Sequence, residues 1–496
     1  MITSIVLVFV LGYTFIALEH TFKIDKAASA LITGILCWTI FILFDNFDSH
    51  FVYKELQHHI VHISEILFFL LGAMTIVELV DSHQGFSIIT DKISTKSRIK
   101  LLWILSFLGF FLSAVLDNLT TAIVMSAMLP KLIKNKNDIW FFGGMLILAC
   151  NAGGAWSPIG DVTTIMLWIG GQVTALSIIK SIFIPSMICM IAPLVYLSFK
   201  IQGTIQRPNS TIFKEHLKNP TTLFERKFVF FGGVLGLLFV PLFKTVTHLP
   251  PYMGMLLSLG VLWLATELLH RSKNTEDKSS LSVVGVLKKV DTPTIFFFLG
   301  ILLAVSSLQS SGILNSVADY LSNTIGHIYV INVIIGLLSA IVDNVPLVAG
   351  AMGMYPINEI GAFAQDGVFW EFLAYCAGTG GSVLIIGSAR DYINLNTSND
   401  EYTLIMGDFN DYPSNESLEK VLVKDDLINL MSTDLIVGQG SYNYKGSWNW
   451  LDQIIVSRNF TNSNIRLLSG GAFQKDFMLY TNKQGEVYPS RSFGGN

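Results

Sequence analysis

Long apolar runs alternate with short polar segments along the first 389 residues of the chain. A helix needs ~20 apolar residues to cross the hydrocarbon core of a bilayer, and each run approaches that length. The first run has no basic flank and no small-residue cleavage site, so we expect it to be retained as a helix. The uninterrupted runs predict spanning helices at residues 2–18, 28–44, 61–80, 174–199, 228–246, 251–269 and 293–312.

Four further apolar tracts are interrupted by polar residues or glycines. Residues 101–132 and 328–358 carry an Asp-Asn pair near their middle, and we expect each tract to be a re-entrant hairpin with that pair at its tip. Residues 139–172 and 369–389 contain glycine-rich stretches that predict broken helices. Free backbone groups are tolerated at membrane depth only where they are buried in protein or line a cavity. Paired broken helices therefore predict a transport site.

The two halves of this pattern repeat in the same order, about 227 residues apart. The loops around the first hairpin are rich in Lys and Arg, whereas no Lys or Arg lies between Lys289 and Arg390. Basic residues collect on the cytoplasmic side of a membrane. We therefore expect the first hairpin to open to the cytoplasm and the second to the outside, which makes the two halves inverted repeats.

The last helix of the first repeat has no apolar counterpart in the second. The equivalent residues, 401–426, hold nine charged side chains, and short strands are expected at 402–406 and 451–457. We predict an all-α polytopic membrane protein with inverted repeats, re-entrant hairpins and broken helices, followed by a small, incomplete α/β soluble tail. The predicted units are membrane repeat one (1–199), a cytoplasmic linker (200–227), membrane repeat two without its last helix (228–390) and the soluble tail (391–496).

Composition agrees with a membrane location. Hydrophobic residues make up 51% of the chain and charged residues 14%, whereas roughly 25% of residues are charged in typical soluble proteins. We expect a multi-pass protein of the cytoplasmic (inner) membrane with an external N-terminus. The number of membrane segments before Arg390 then predicts a cytoplasmic tail.

The interruptions supply side-chain oxygens in both repeats. Hard cations prefer oxygen ligands, and unwound backbone in transporters adds carbonyl groups. A partly desolvated carboxylate can hold either a proton or a cation, and this competition would couple two fluxes. We predict an ion site built from Asp117, Asn118, Thr120, Asn151, Ser157, Asp161 and Thr163 of the first repeat and Asp343, Asn344, Thr379 and Ser382 of the second.

One position breaks the symmetry of the predicted site. Asp161 aligns with Ser388, so the first repeat supplies an acid that the second lacks. Together with Asp117 and Asp343 the predicted site then has three acids, which favour a cation over a carboxylate or arsenite. Simpler structural roles stay open for the same residues. Asp117, Asp161 and Asp343 are also favoured helix N-caps. The side chains of four others would also satisfy freed backbone groups: Asn151, Ser157, Thr379 and Ser382.

Residues 1–389 resemble the NhaD-type sodium/proton antiporters of the ion transporter superfamily. The resemblance rests on the runs LDNLTTA at 116–122, NAGGAWSPIGDVT at 151–163 and VDNVP at 342–346. It implies a secondary transporter that exchanges sodium for protons, with no cofactor and no metal beyond the transported sodium. The expected partners are sodium ions, protons and the lipid bilayer. A homodimer is an option, and no nucleic acid is expected.

The tail resembles the C-terminal portion of the endonuclease/exonuclease/phosphatase family, through IMGDFND at 405–411 and WNWLDQII at 448–455. This resemblance implies that Asp408 and Asn410 are the remnant of a phosphate site. The family's first half, with its metal-binding Glu, is absent, and so is the closing Ser-Asp-His. We therefore expect a transporter and not an enzyme, impaired by the missing helix. The alternatives are a membrane-tethered phosphodiesterase-like protein and a transporter of another ion, a carboxylate or arsenite, in the same superfamily.

Overall fold

The computed structural model describes residues 2–382, apart from 45–48, 91, 208–220, 272, 274–277, 279 and 341, together with seven short strands between Leu404 and Pro489. The chain divides into two compact units, Met1–Thr397 and Ser398–Asn496. Eight helices within the described part of the first unit are long and apolar enough to cross a membrane. The predicted all-α, multi-pass class is therefore confirmed.

Helices of the first repeat follow the predicted apolar runs closely. The main difference is that each interrupted tract forms two separate helices. The described elements are α1 (Ile2–Ala17), α2 (Glu19–Phe22), α3 (Lys26–Phe44), α4 (Ser49–Ser82), α5 (Ser87–Thr90), α6 (Arg98–Leu116), α7 (Asn118–Leu132), α8 (Lys136–Ala155), α9 (Val162–Ile169) and α10 (Ala175–Lys200).

The second repeat has the same order of long helices and hairpin among its described residues, followed by a helix at the start of the predicted broken one; residues 383–389, its predicted second half, lie outside the described residues. Short connecting helices lie between these elements. The helices are α11 (Leu223–Thr247), α12 (Pro251–Leu269), α13 (Val283–Leu287), α14 (Thr292–Ser310), α15 (Ile313–Thr324), α16 (Ile328–Leu338), α17 (Asn344–Met354) and α18 (Val368–Gly380).

α4 is longer than the apolar run that predicted it. The run covers residues 61–80, whereas the helix begins at Ser49 and has 34 residues. At 1.5 Å per residue it is ~50 Å long, which exceeds the ~30 Å hydrocarbon core of a bilayer. Its first turns carry polar residues such as Lys54 and Glu55. Hydropathy alone could not locate this start, because the helix continues beyond the apolar stretch.

The first Asp-Asn pair lies at the tip of a hairpin, as predicted. Asp117 is the single residue between α6 and α7, and its φ of 74° turns the chain. One short segment holds the open end of the hairpin. The Ile205 N–H donates to the Lys96 carbonyl before α6 (2.8 Å), and the Lys134 N–H after α7 donates to the Gln206 carbonyl (2.9 Å). Both ends of the hairpin therefore lie on one side of the bundle.

The second hairpin, α16 and α17, opens to the other side. The Asn332 amide near the start of α16 donates to the Phe369 carbonyl (2.8 Å), and the Tyr355 ring after α17 packs on the Phe369 ring (4.9 Å between centroids). Asp366, close by in the chain, accepts from the Thr174 N–H at the start of α10 (2.5 Å). α10 therefore begins beside the open end of the second hairpin, and it ends just before the segment that holds the open end of the first. The two hairpins thus open to opposite sides of the bundle.

α3 and α14 connect the two repeats. A Cβ atom on Gly34 would lie 2.4 Å from the Gly300 carbonyl oxygen, so the two helices approach backbone to backbone. Four residues further along α3, the Trp38 indole N–H donates to the Leu303 carbonyl (2.9 Å). Small residues at membrane helix crossings permit this close packing. The contact fixes one repeat against the other.

Seven short strands are described in the second unit. The central strand β5 pairs antiparallel with β1 and with β2, while β3 pairs with β4 and β6 with β7. β1 and β5 lie close to the positions predicted for strands. The strands are β1 (Leu404–Asp408), β2 (Leu427–Asn429), β3 (Tyr442–Tyr444), β4 (Ser447–Asn449), β5 (Asp452–Ser457), β6 (Leu479–Thr481) and β7 (Val487–Pro489).

Two buried histidines join the ends of α4 and α12. The His83 Nδ1–H donates to the Leu79 carbonyl (2.7 Å), because a carbonyl oxygen can only accept. In the neutral pair His83 Nε2 therefore accepts, and His270 Nε2, 3.2 Å away, donates. The Glu225–Lys273 ion pair (2.9 Å) lies nearby. Burial lowers the pKa of His83 to about 4, since it disfavours the charged ring.

We expect the melting temperature of the purified protein to fall as pH drops from about 6.5 to about 5. The unfolded chain binds the proton near the ordinary histidine pKa of ~6.5, whereas the folded chain resists it until the pH nears the lower pKa of His83. His83→Gln should flatten this slope. His327→Gln, which replaces an exposed histidine, is the matched control. A slope that survives His83→Gln would assign the pH dependence to other groups.

Candidate functional site

Three aspartates cap the helices that begin at the chain breaks. Asp117 accepts from the Thr120 N–H at the start of α7 (2.7 Å), and Asp343 accepts from the second backbone N–H of α17 (3.0 Å). Asp161 accepts from the Thr163 N–H at the start of α9 (2.8 Å). Helix N-termini carry a partial positive charge that favours a carboxylate. All three residues therefore have the capping role that the sequence left open.

Asp161 also receives side chains from both hairpin tips. The Asn118 Nδ2 donates to Asp161 Oδ2 (2.7 Å), and the Asn344 Nδ2 lies 3.5 Å from both carboxylate oxygens. The Thr163 hydroxyl donates to Oδ1 (2.7 Å). Asp161 is only 1% exposed. It is therefore a buried carboxylate at the junction of the two repeats, satisfied by amide, hydroxyl and backbone donors.

A chain of amides extends from Asp161 to the second broken helix. The Asn118 Nδ2 also donates to Asn151 Oδ1 on α8 (3.2 Å), and the Asn151 Nδ2 donates to the Ser382 hydroxyl after α18 (3.0 Å). These bonds join side chains that are far apart in sequence. Polar residues of both repeats thus form one connected network around a single carboxylate.

Three other predicted residues form hydrogen bonds outside the network around Asp161. The Ser157 hydroxyl donates to the Ala114 carbonyl (2.5 Å), and the Thr379 hydroxyl donates to the carbonyl four residues earlier in α18 (2.6 Å). The Thr120 hydroxyl donates to Asp117 Oδ2 (2.7 Å). Ser157 and Thr379 therefore satisfy backbone carbonyls, whereas Thr120 supports the carboxylate at the tip of the first hairpin.

Glycines bring the broken helices close to Asp161. A Cβ atom on Gly378 would lie 3.1 Å from the Ala155 Cβ and 3.6 Å from Asp161 Oδ2. A Cβ on Gly154 would lie 2.3 Å from the Gly160 carbonyl oxygen, within the first break. Side chains at these two positions would separate the elements that carry the network. The glycine-rich stretches therefore permit the close approach as well as the chain breaks.

Two residues near the site were missed by the sequence reasoning. Tyr13 of α1 has a buried hydroxyl and interacts with Asp343. Lys244 of α11 donates to the Trp168 carbonyl at the end of α9 (2.9 Å), and its ammonium lies 4.7 Å from the centre of the Trp168 ring. A single Tyr or Lys within an apolar run gives no functional signal. Only the packing of α1 and α11 against the site elements identifies them.

Some predicted positions lie outside the described residues. They include Ser388, which aligns with Asp161, and Asn410 of the tail. The stretch 383–403, where the second repeat meets the tail, is also outside. Asp408 is described as the last residue of β1, where it pairs in register with Asp452 of β5.

The fold and the buried polar network define an inverted-repeat membrane transporter. Residues 13–380 match the model of the citrate transporter family, CitMHS, to which the chain therefore belongs. Sodium/proton antiporter 1 of Arabidopsis thaliana is 45% identical over 388 residues, 78% of this chain and 66% of the relative. Sodium/proton antiporter 2 of the same organism is 44% identical over 390 residues, 78% of this chain and 90% of the relative.

A bacterial relative extends the comparison. The Na⁺/H⁺ antiporter NhaD of Vibrio cholerae is 29% identical over 426 residues, 80% of this chain and 86% of the relative. The predicted resemblance to NhaD-type antiporters is confirmed. Residues 385–496 match the model of the endonuclease/exonuclease/phosphatase family, which confirms the resemblance of the tail. The two family matches do not overlap, so the chain joins segments of two different families.

Asn118→Ala should lower the stability of the folded protein by roughly 1–3 kcal/mol, because it removes a donor from the buried Asp161 carboxylate and from Asn151. Thermal unfolding in detergent without sodium measures this effect separately from transport. Thr379→Val is the matched control, since the hydroxyl that it removes donates within its own helix. Equal losses in the two variants would show that the bond between Asn118 and Asp161 contributes little.

Proposed function

We propose that this chain exchanges sodium ions for protons across the cytoplasmic membrane. The observation that carries the proposal is the position of Asp161, a buried carboxylate held by Asn118 and Asn344 at the tips of opposed hairpins. The names of the relatives, sodium/proton antiporters at 44% and 45% identity, support the same assignment. A site shared by two inverted repeats is the arrangement expected for alternating access.

Competition at Asp161 would couple the two ions. A protonated carboxylic acid is neutral and a poor cation ligand, whereas the carboxylate is a hard oxygen ligand suited to sodium. One group therefore holds a proton or a sodium ion, and not both. If the site opens to each side of the membrane in turn, movement of one ion in one direction requires the other ion to move back.

Sodium binding at Asp161 requires rotation of two amides. Asn118 and Asn344 direct their Nδ2 donors at the carboxylate. A cation needs oxygen in those positions, so each amide must turn and present Oδ1. The two hairpin tips would then bind the ion from opposite sides. This requirement links ion occupancy to the relative position of the repeats.

The charge of the site favours a cation over the anion that the family description suggests. Asp117, Asp161 and Asp343 each cap a helix start, and Asp161 interacts electrostatically with both of the others. The helix N-termini offset part of this negative charge. A carboxylate substrate such as citrate would add further negative charge beside three acids, whereas sodium would neutralise it.

We assign the ends of the bundle from its charges. The basic end, where the first hairpin opens, lies in the cytoplasm, and the N-terminus lies outside. Repeat one then comprises residues 1–199, the linker 200–227, repeat two 228–390 and the tail 391–496. On this assignment the tail is cytoplasmic.

Asp161→Asn should abolish sodium-dependent proton movement in everted vesicles, because the amide keeps the size and an oxygen ligand but cannot exchange a proton. Asp366→Asn is the matched control, since Asp366 also accepts from a helix-start N–H and hydroxyl, those of Thr174, outside the network. Exchange that persists in correctly inserted Asp161→Asn would leave this residue as a cap alone.

Asp117→Asn and Asp343→Asn belong in the same assay. Each should weaken the apparent affinity for sodium while some exchange remains, since both lie at hairpin tips and interact with Asp161. A silent substitution at one tip would indicate that the ion is held mainly by the other repeat.

The tail occupies the sequence positions where the last helix of the second repeat is expected. The absence of that helix would remove a packing partner from the broken helix after Gly378, so transport by this chain should be weak. Replacing the residues after 390 with an apolar span of ~20 residues should restore exchange in vesicles. A chain that ends at Arg390, without the added span, is the control. Full exchange by the unaltered chain would contradict the proposed need for that helix.

The alternative, a phosphodiesterase-like enzyme, rests on the family match of the tail. We expect no metal-dependent hydrolysis of phosphate esters by the purified chain. Hydrolysis that disappears in Asp408→Ala would favour the alternative.

A further inference from the structure

An open apolar groove runs between α6 and α11. It consists of two adjoining cavities of about 500 and 570 Å³, which share Ile104, Leu108 and Phe230. The inner cavity is lined only by apolar side chains, and it reaches Val115, two residues before the hairpin tip at Asp117. The groove therefore extends from the depth of the polar network to the basic end of the bundle.

The outer end of the groove is polar and cationic. The second cavity is bordered by Lys92, Ser94 and Thr95, in the segment that joins α5 to α6. The Arg207 guanidinium donates to the carbonyls of Ile93 (2.7 Å) and Thr95 (3.0 Å), so it fixes this segment. Because carbonyl groups are neutral, they do not neutralise the positive charge of Arg207, which stays next to the hydroxyls of Ser94 and Thr95.

The helix that forms the opposite wall carries a second lysine near the entrance. Lys227 of α11 is exposed, and Phe231, one turn later on the same face of the helix, borders the outer cavity. Lys92, also exposed, lies on the other wall. The groove thus has a long apolar interior and a cationic entrance with lysines from both sides.

We propose that this groove binds one anionic phospholipid, with an acyl chain between α6 and α11 and its phosphate between Lys92 and Lys227. Basic pockets between membrane helices are typical sites for anionic lipid head groups. A zwitterionic lipid carries the same phosphate, but its cationic head group repels the lysines, so it should bind more weakly. The proposal does not depend on the transported ion, since none of these residues belongs to the network around Asp161.

The cationic entrance argues against a second copy of the chain as the occupant. Two copies in one membrane have the same orientation, and a two-fold contact uses the same surface of each. Such a contact through the groove would bring the lysine-bearing ends of both copies to the same depth. An anionic lipid neutralises this charge, whereas a second copy doubles it.

Native mass spectrometry of the delipidated full chain, titrated with phosphatidylglycerol or phosphatidylcholine, tests the proposal. One phosphatidylglycerol should bind, with an affinity on the order of tenfold above that of phosphatidylcholine. The double variant Lys92→Ala/Lys227→Ala should lose this preference. Lys100→Ala/Lys134→Ala, which removes two other exposed lysines from the same end, is the matched control and should keep it.

A second variant tests the apolar part of the site. Val234→Trp on α11 fills the inner cavity and should reduce binding of both lipids, and Leu108→Trp on α6 does so from the other wall if the first variant does not fold. Equal binding of the two lipids by the unaltered chain would overturn the proposal. Retention of the preference in Lys92→Ala/Lys227→Ala would also overturn it, as would a change from dimer to monomer in Val234→Trp without loss of lipid.

Discussion

The buried Asp161 carboxylate is the constraint on which the rest of the membrane structure depends. A charge taken out of water costs several kcal/mol unless hydrogen bonds replace its hydration. Asp161 obtains those bonds from the start of α9 and from the tips of both hairpins. Asn118 and Thr163 belong to the same repeat as Asp161, and Asn344 adds a longer contact, 3.5 Å, from the other repeat. Contacts from both repeats therefore surround this acid inside the bundle.

The supports of this meeting point lie well away from it. The segment at Ile205 closes the first hairpin at the basic end, and Phe369 connects both ends of the second hairpin on the other side. α3 and α14 cross at Gly34 and Gly300, which fixes the repeats together. Between α6 and α11 the packing is incomplete, and the open groove lies there. A lipid in that groove would occupy a boundary next to the first hairpin.

The family description and the relatives agree that the chain is a transporter but name different substrates. The family description names citrate, whereas the two Arabidopsis relatives are named sodium/proton antiporters. Three acids at helix starts are the physical reason for which we propose a cation. The second family match, over residues 385–496, accounts for the abrupt change from apolar to charged sequence near residue 390.

The sequence by itself determined the helices, the break in the first broken helix and the opposed hairpins, because hydropathy, Asp-Asn pairs and basic flanks are local signals. The second half of the other predicted broken helix lies outside the described residues. The sequence also identified Asp161 as the acid that breaks the symmetry. It did not determine which oxygens bond to which partners, nor the polar start of α4. The sequence also gave no sign of Tyr13 and Lys244, because their contacts form only when α1 and α11 pack against distant segments. Only the tertiary structure decided that Asn118 and Asn344 share one carboxylate, since that contact joins residues 226 positions apart in the chain.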